Sequence, residues 1–398
     1  MKLIEFKEYN NLNNERTLNK RKLTIAIVII ILLIITITFS VLYVCNSKFR
    51  NWADIHILMK TISQGSLSSI DIDSNENISI YAYDRYIALL NNNKLDLYNS
   101  SAKKVETLDI NINNPLFKSN GKYLVLAEKE KQKIYLISET KVLWNTDVDG
   151  IISRIDVNEN GYVSVVCSGT TYKSVIIVFN QSGEQLLKTY IPNNSIIDSV
   201  ISSDNKYLSF AEIDTSGTLI KSIVKTISIK DAQSSSENSS VYTYQMPTNS
   251  LIVNLKYQGS KNLICMCNDG INVLVDGKIE QLMNFEGENN YTFSGIDLIN
   301  NIYKIEEISD GIENQYSQIK FINTGTKKIN TYSIDSIAKN TTSAGDCVAV
   351  NLGTEIYFIN TKGWLKKKYV ASEGIRNIIV SNRVAAIIFR DKIEILVL

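Results

Sequence analysis

Two tryptophans offer the first chemistry. Trp144 (in KVLWNTD) and Trp364 (in TKGWLKK) each follow a polar turn at the start of a strand-like run. An indole there suits stacking on a sugar face, and it equally suits packing at the rim of a sheet. They are the candidate ligand contacts of this sequence. Cys167, Cys265, Cys267 and Cys347 form a second group. Alternation along a strand puts the sulfurs of Cys265 and Cys267 on one face. Metal binding would need more ligands, and a single His in 398 residues excludes any multi-His site. Buried thiols behaving as small hydrophobes are expected, with no metal and no cofactor. Single, widely spaced Cys also exclude a disulfide scaffold.

Asp156-x-Asn158-x-Asn160-Gly161 resembles the first half of a calcium loop. The bidentate acid required at the twelfth position would be Cys167, which cannot serve. A tight turn explains the same residues: Asn and Gly accept positive φ, and Asp caps its own turn. Asp71-x-Asp73-x-Asn75 lacks even the Gly. Ser-His-Asp or Cys-His catalysis is unavailable beyond residue 66, because the only His is His56. A carboxylate pair could still serve as acid and base on a sugar substrate. No particular Asp or Glu is singled out for that, so no catalytic residue is assigned and the reading leans away from an enzyme. Lys366-Lys367-Lys368 reads as a solvated strand or turn, or as a contact for an anionic wall polymer or headgroup.

Charge narrows the classes further. Lys and Arg total 42 against 41 Asp and Glu. A nucleic-acid-binding surface needs a surplus of cations to displace counterions, so no nucleic-acid partner is expected.

The elements that must carry these residues begin with a membrane segment. Leu23 to Val44 (LTIAIVIIILLIITITFSVLYV) is uncharged. As a helix it spans about 33 Å, enough for a hydrocarbon core of roughly 30 Å. Lipid offers no hydrogen-bond partners, so helix is the only backbone state open to it. A cleaved signal would have a shorter core and a small-x-small site, absent at Ser40–Val44. Leu42-Tyr43-Val44-Cys45 resembles a lipobox with Val44 where a small residue belongs, so Cys45 is expected to be an ordinary cysteine. Lys7, Arg16, Lys20, Arg21 and Lys22 precede the segment, and Lys48, Arg50 and Lys60 follow it. That bias favours an N-terminus in the cytoplasm. Residues 1–22 are then a cytoplasmic tail, 23–44 the transmembrane helix and 45–66 a juxtamembrane stalk, helical or irregular.

From about residue 67 the pattern changes to short alternating runs punctuated by Asn, Gly, Asp and Ser. All-β is expected. A repeat is visible: VFNQSG at 178–183, FINTKG at 358–363, FINTG at 321–325 and LYNSS at 97–101 each end one strand and open a turn. A hairpin precedes each, as at 200–210 (VISSDNKYLSF). The unit is four strands in about 40 residues, the period of β-propeller blades. Units begin near residues 78, 115, 151, 196, 251, 293, 337 and 375. The last has three strands, and Ser68–Asp73 (SSIDID) is expected to supply the fourth, which hides the free edges and closes the ring. Eight blades over 67–398 is the reading, with seven as the alternative. Asp231–Ser240 (DAQSSSENSS) reads as a solvated loop within blade 4.

Residues 151–230, with DVNENGYVSVV, YKSVIIVFNQSGEQL and SSDNKYLSFAEIDTSGTLIKSIVKTISI, resemble an uncharacterised family of Gram-positive bacterial proteins. Its members join one N-terminal membrane helix to a quinoprotein-like or WD40-like propeller, and the family is a domain of unknown function. The resemblance implies architecture and an envelope location, and no active site. The adjacent cysteine pair of quinoproteins and the Gly-His and Trp-Asp marks of WD40 repeats are absent. The expectation is therefore a single-pass plasma-membrane protein whose propeller lies outside the cytoplasm. It would bind or scaffold an envelope protein or glycan without catalysis. The alternative is an envelope carbohydrate-active enzyme using a channel-facing carboxylate pair.

Overall fold

Strands of five to eight residues that alternate in polarity must bury one face, and turns rich in Asn and Gly return the chain at once. The computed structural model, described here for residues 20–73, 76–169, 171–234, 239–285, 291–309 and 315–398, shows what these rules produce. Eight antiparallel sheets of four strands follow one another along the chain, a β-propeller. Strands are lettered A to D from the central channel outward. Blades 1 to 7 occupy 79–109, 115–147, 151–191, 195–245, 252–284, 291–334 and 340–370. Blade 8 comprises 377–397 with the N-terminal strand Ser68–Asp71 as its strand D. Every blade begins within three residues of the position read from the repeat.

Closure takes the expected form and adds to it. Ser68 pairs with Ile395 and Asp71 with Lys392, antiparallel. In addition Thr61–Ser63 runs parallel to Leu365–Val370 as a fifth strand on blade 7. That strand falls in the stretch read as stalk; three residues are too few to show alternation.

The recurring Asn has a physical cause. The side-chain oxygen of Asn99 accepts from the Ser101 and Lys103 amides, both at 3.0 Å. Asn180 does the same with Ser182 and Glu184, and Asn360 with Lys362 and Trp364. Asn323 receives Gly325 and Thr326. The C–D turns of blades 1, 3, 6 and 7 are thus each held by one side chain replacing the missing ladder acceptor. Gly183 and Gly363 sit at φ of +83° and +72°, a backbone state that a Cβ disfavours.

The apolar faces meet between neighbouring blades. Val125, Leu136 and Ala127 of blade 2 pack on Ile155, Val165 and Ile177 of blade 3. Ala349 and Phe358 of blade 7 pack on Ile378 and Ile387 of blade 8. The stretch expected as a loop in blade 4 holds a short helix, Ile229–Ser234, because Ile229 is buried with Ile201, Leu208 and Phe210. Residues 235–238 lie outside the described residues.

The N-terminal unit is described by itself. Helix α1 (Lys20–Cys45) reaches a mean hydropathy of 3.2, which makes it a candidate membrane span or signal sequence. Helix α2 (Ser47–His56) follows, its start capped by Asn46, whose side-chain oxygen accepts from the Phe49 amide. Residues 1–19, most of the expected cytoplasmic tail, lie outside the described residues.

Candidate functional site

Strand A of every blade lines the central channel, so the site is built by register: residues just before an A–B turn face inward. They enclose a cavity of about 650 Å³ that reaches the turns at Gly121, Gly259, Gly345 and Asn382. Ser119, Asn120, Asn254, Thr342 and Ser343 give it a hydroxyl- and amide-rich wall. Charged groups gather on one arc. Lys118 comes from blade 2, Asp156 from blade 3, Lys256 from blade 5 and Asp297 from blade 6. Asp198, almost wholly buried, stands behind them in blade 4.

These groups differ in what already holds them. Asp198 accepts from the Ser199 amide at 3.0 Å and, with its other oxygen, from the Leu255 amide at 2.9 Å, which ties blade 4 to blade 5. The Lys256 ammonium lies 3.2 Å from the Asp297 carboxylate. Burial pushes Asp297 up, but Lys256 and Lys118 outweigh it and hold this carboxylate below its usual range. Burial acts against the Lys118 charge too, and Asp297, Asp156 and Asp198 together outweigh it, so its pKa is raised. Asp156 goes the other way. Burial first, partly offset by Lys118, and then the Asp198 charge push it up to about 7. It takes a hydrogen bond from the Val157 amide, and no side chain bonds it or Lys118 among the described residues.

This arc thus holds one free ammonium, one carboxyl that titrates near neutrality and two carboxylates already engaged; Asp84, paired with Arg85 and Arg383, and Glu159 also line the cavity. Acid–base work on a glycosidic bond calls for a second free carboxylate opposite the acid. Asp198 and Asp297 are already engaged.

Trp144 and Trp364 lie elsewhere. Trp144, half-buried in strand D of blade 2, donates its indole N–H to the Gln181 carbonyl at 3.1 Å, with its ring 5.3 Å from Phe179. Trp364 precedes strand D of blade 7, half-buried. Neither lines the channel, and the fold does not bring the two together. Lys366 pairs with Asp346 and Lys368 with Glu355, while Lys367 donates to the Val397 carbonyl, so the run is spent locally. Asn158 holds its own turn, accepting from the Asn160 and Tyr162 amides, and its amide nitrogen donates to Ser202 and Asn205. The calcium-like spacing is therefore a turn, and Asp156 faces the channel. The four propeller thiols are buried, and the Cys265 and Cys267 sulfurs lie 3.8 Å apart. Burial pushes Cys167 and Cys347 up to about 12.

Lys118, Lys256 and Asp297 were invisible as a group in the sequence. Their signal is positional: aligning the repeats on the A–B turn stacks Lys118, Asp156 and Lys256, each three residues before its turn at Gly121, Glu159 and Gly259.

A family model matches residues 60–398. The chain belongs to that family, a family of unknown function (DUF5711). The match covers the whole propeller, so the fold described here is that of a DUF5711 protein. No curated protein sequence matches the chain. Among solved structures it is similar to the C-terminal WD40 domain of Sif2, with 11% identity and a TM-score of 0.52 over 83% of this chain and 99% of that one. A eukaryotic initiation factor gives 11% and 0.52 over 81% and 86%. Sqt1 of Chaetomium thermophilum, bound to the N-terminus of the ribosomal protein L10, gives 9% and 0.50 over 85% and 100%. At such identities the likeness concerns the fold alone, and it agrees with the β-propeller that the repeats imply for this DUF5711 chain.

Proposed function

We propose that this chain is a single-pass membrane protein whose propeller, outside the cytoplasm, binds a partner or ligand in its channel without catalysis. The observation that carries the reading is the channel itself: about 650 Å³, within the range of about 300–1,000 Å³ usual for ligand sites, with Lys118 and Asp156 free of side-chain partners. The length and apolarity of α1, with Lys20-Arg21-Lys22 at its start, support anchoring with the N-terminus inside. The residues before strand Thr61–Ser63 then serve as the stalk, and residues 1–22 as the tail. Sqt1, of the same fold, is seen holding a protein terminus.

Photo-crosslinking in intact cells tests this. A photoreactive residue at Asn254, in the channel wall, should capture a partner or glycan. One at Val105, on the outer strand of blade 1, should not. Capture from 105 alone moves binding to the outer edges.

A second reading, an envelope carbohydrate-active enzyme, is favoured by one observation: the channel lifts Asp156 and lowers Asp297. It requires Asp156→Asn and Asp297→Asn each to abolish glycan cleavage while leaving binding intact.

A further inference from the structure

We propose that the channel receives a hexuronate, free or as the terminal residue of a glycan, with Phe117 beneath the sugar ring and Lys118 against its carboxylate. This rests on the channel being the binding place. Two observations select the ligand class. The first is an open ring in a polar wall. Of the aromatics that line the channel, Tyr83 is fully buried and Tyr257 shares its hydroxyl with Ser209, whereas Phe117 is 43% exposed. The Tyr81 ring, 4.5 Å away, backs it. An exposed phenyl face takes the C–H face of a pyranose, and the surrounding Asn, Ser and Thr groups take its hydroxyls.

The second is the free ammonium. Lys256 is engaged by Asp297, but the Lys118 ammonium, which lines the same cavity as Phe117, has no hydrogen-bond partner among the described residues.

The same geometry couples binding to a proton. The groups acting on Asp156 are Lys118 from blade 2, Asp198 from blade 4 and Lys256 from blade 5. Protonated, Asp156 donates its O–H to the incoming carboxylate; ionised, it repels it. Affinity must therefore fall as pH rises through about 7.

Calorimetry on the full chain in detergent, with D-glucuronate, D-glucose and an acetylated aspartyl peptide, tests this. Glucuronate should bind about tenfold tighter than glucose, the worth of one charge-assisted hydrogen bond. Its affinity should fall about tenfold between pH 6 and pH 8, as one proton is lost from Asp156. Lys118→Gln should reduce glucuronate to the level of glucose, and Asp156→Asn should remove the pH dependence. A uronate-terminated oligosaccharide against the free acid separates the two sources. Equal affinity for glucose, or indifference to pH and to Lys118→Gln, overturns the proposal. Binding of the aspartyl peptide alone, sensitive to Lys118→Gln, overturns the sugar assignment and leaves the channel as the binding place. Silence of all three probes, with no crosslink from Asn254, overturns both.

Discussion

Tyr369, in strand D of blade 7, donates its hydroxyl to Glu394, in strand C of blade 8, at 2.7 Å. The other Glu394 oxygen accepts from the Gly65 amide at 3.1 Å, in the turn between the two N-terminal strands. Gln64 accepts from the Ser372 amide and hydroxyl, and Lys60 donates to the Leu365 carbonyl. One nearly buried carboxylate therefore joins the turn before strand Ser68–Asp71 to blades 7 and 8.

The first prediction concerns this clasp. Glu394→Ala removes the acceptor of a buried hydroxyl and of an amide, which costs about 2–4 kcal/mol. Thermal denaturation should show a clear fall in Tm, and Tyr369→Phe a smaller one. Deleting residues 61–71 should lower Tm further. An unchanged Tm after that deletion would mean that the N-terminal strands do not close the ring.

The second concerns the turns. Asn180→Ala and Asn360→Ala each leave two turn amides without their acceptor in exposed positions, for a loss of about 1 kcal/mol each. The sites lie in blades 3 and 7, so the double variant should lose the sum in urea denaturation.

Gly183 supports the third. Its φ is +83°, and an added Cβ would lie 2.8 Å from the Trp144 ring. Gly183→Ala should destabilise by about 1–3 kcal/mol through strain and clash. Trp144→Phe should cost about 1 kcal/mol, since it gives up only the bond to Gln181. If Trp144→Phe leaves stability untouched, the rim contact is not structural.

The fourth is a pH dependence. Asp156 goes from an ordinary pKa of 3.8 unfolded to about 7 folded, so folding takes up a proton between those values. Its contribution is favourable to the protonated state and is lost as pH rises through about 7. Asp156→Asn removes that loss. The Tm gained by the variant should be smallest near pH 4, grow until about pH 7 and stay level above it. A gain that shrinks as pH rises contradicts the assignment.

The propeller was legible because every blade alternates in polarity about tight polar turns, and four of them cap the C–D turn with an Asn. Ser68–Asp71 could be placed because blade 8 lacked a strand; Thr61–Ser63 could not, since no blade lacked one there. The channel charges were hidden for another reason. Lys118, Asp156 and Asp297 come from three blades, and only ring closure converts their spacing along the chain into proximity. Trp144 drew notice by its type, yet its indole N–H is spent on Gln181. Side-chain type suggested a site, while register determined where one formed.

The measurement that bears most directly on an outward-facing binding channel is protease shaving of intact cells, with detection of a tag after Leu398. The account predicts digestion of the tagged propeller in intact cells, with a short N-terminal fragment left in the membrane. Protection until lysis would place the propeller in the cytoplasm and contradict the account.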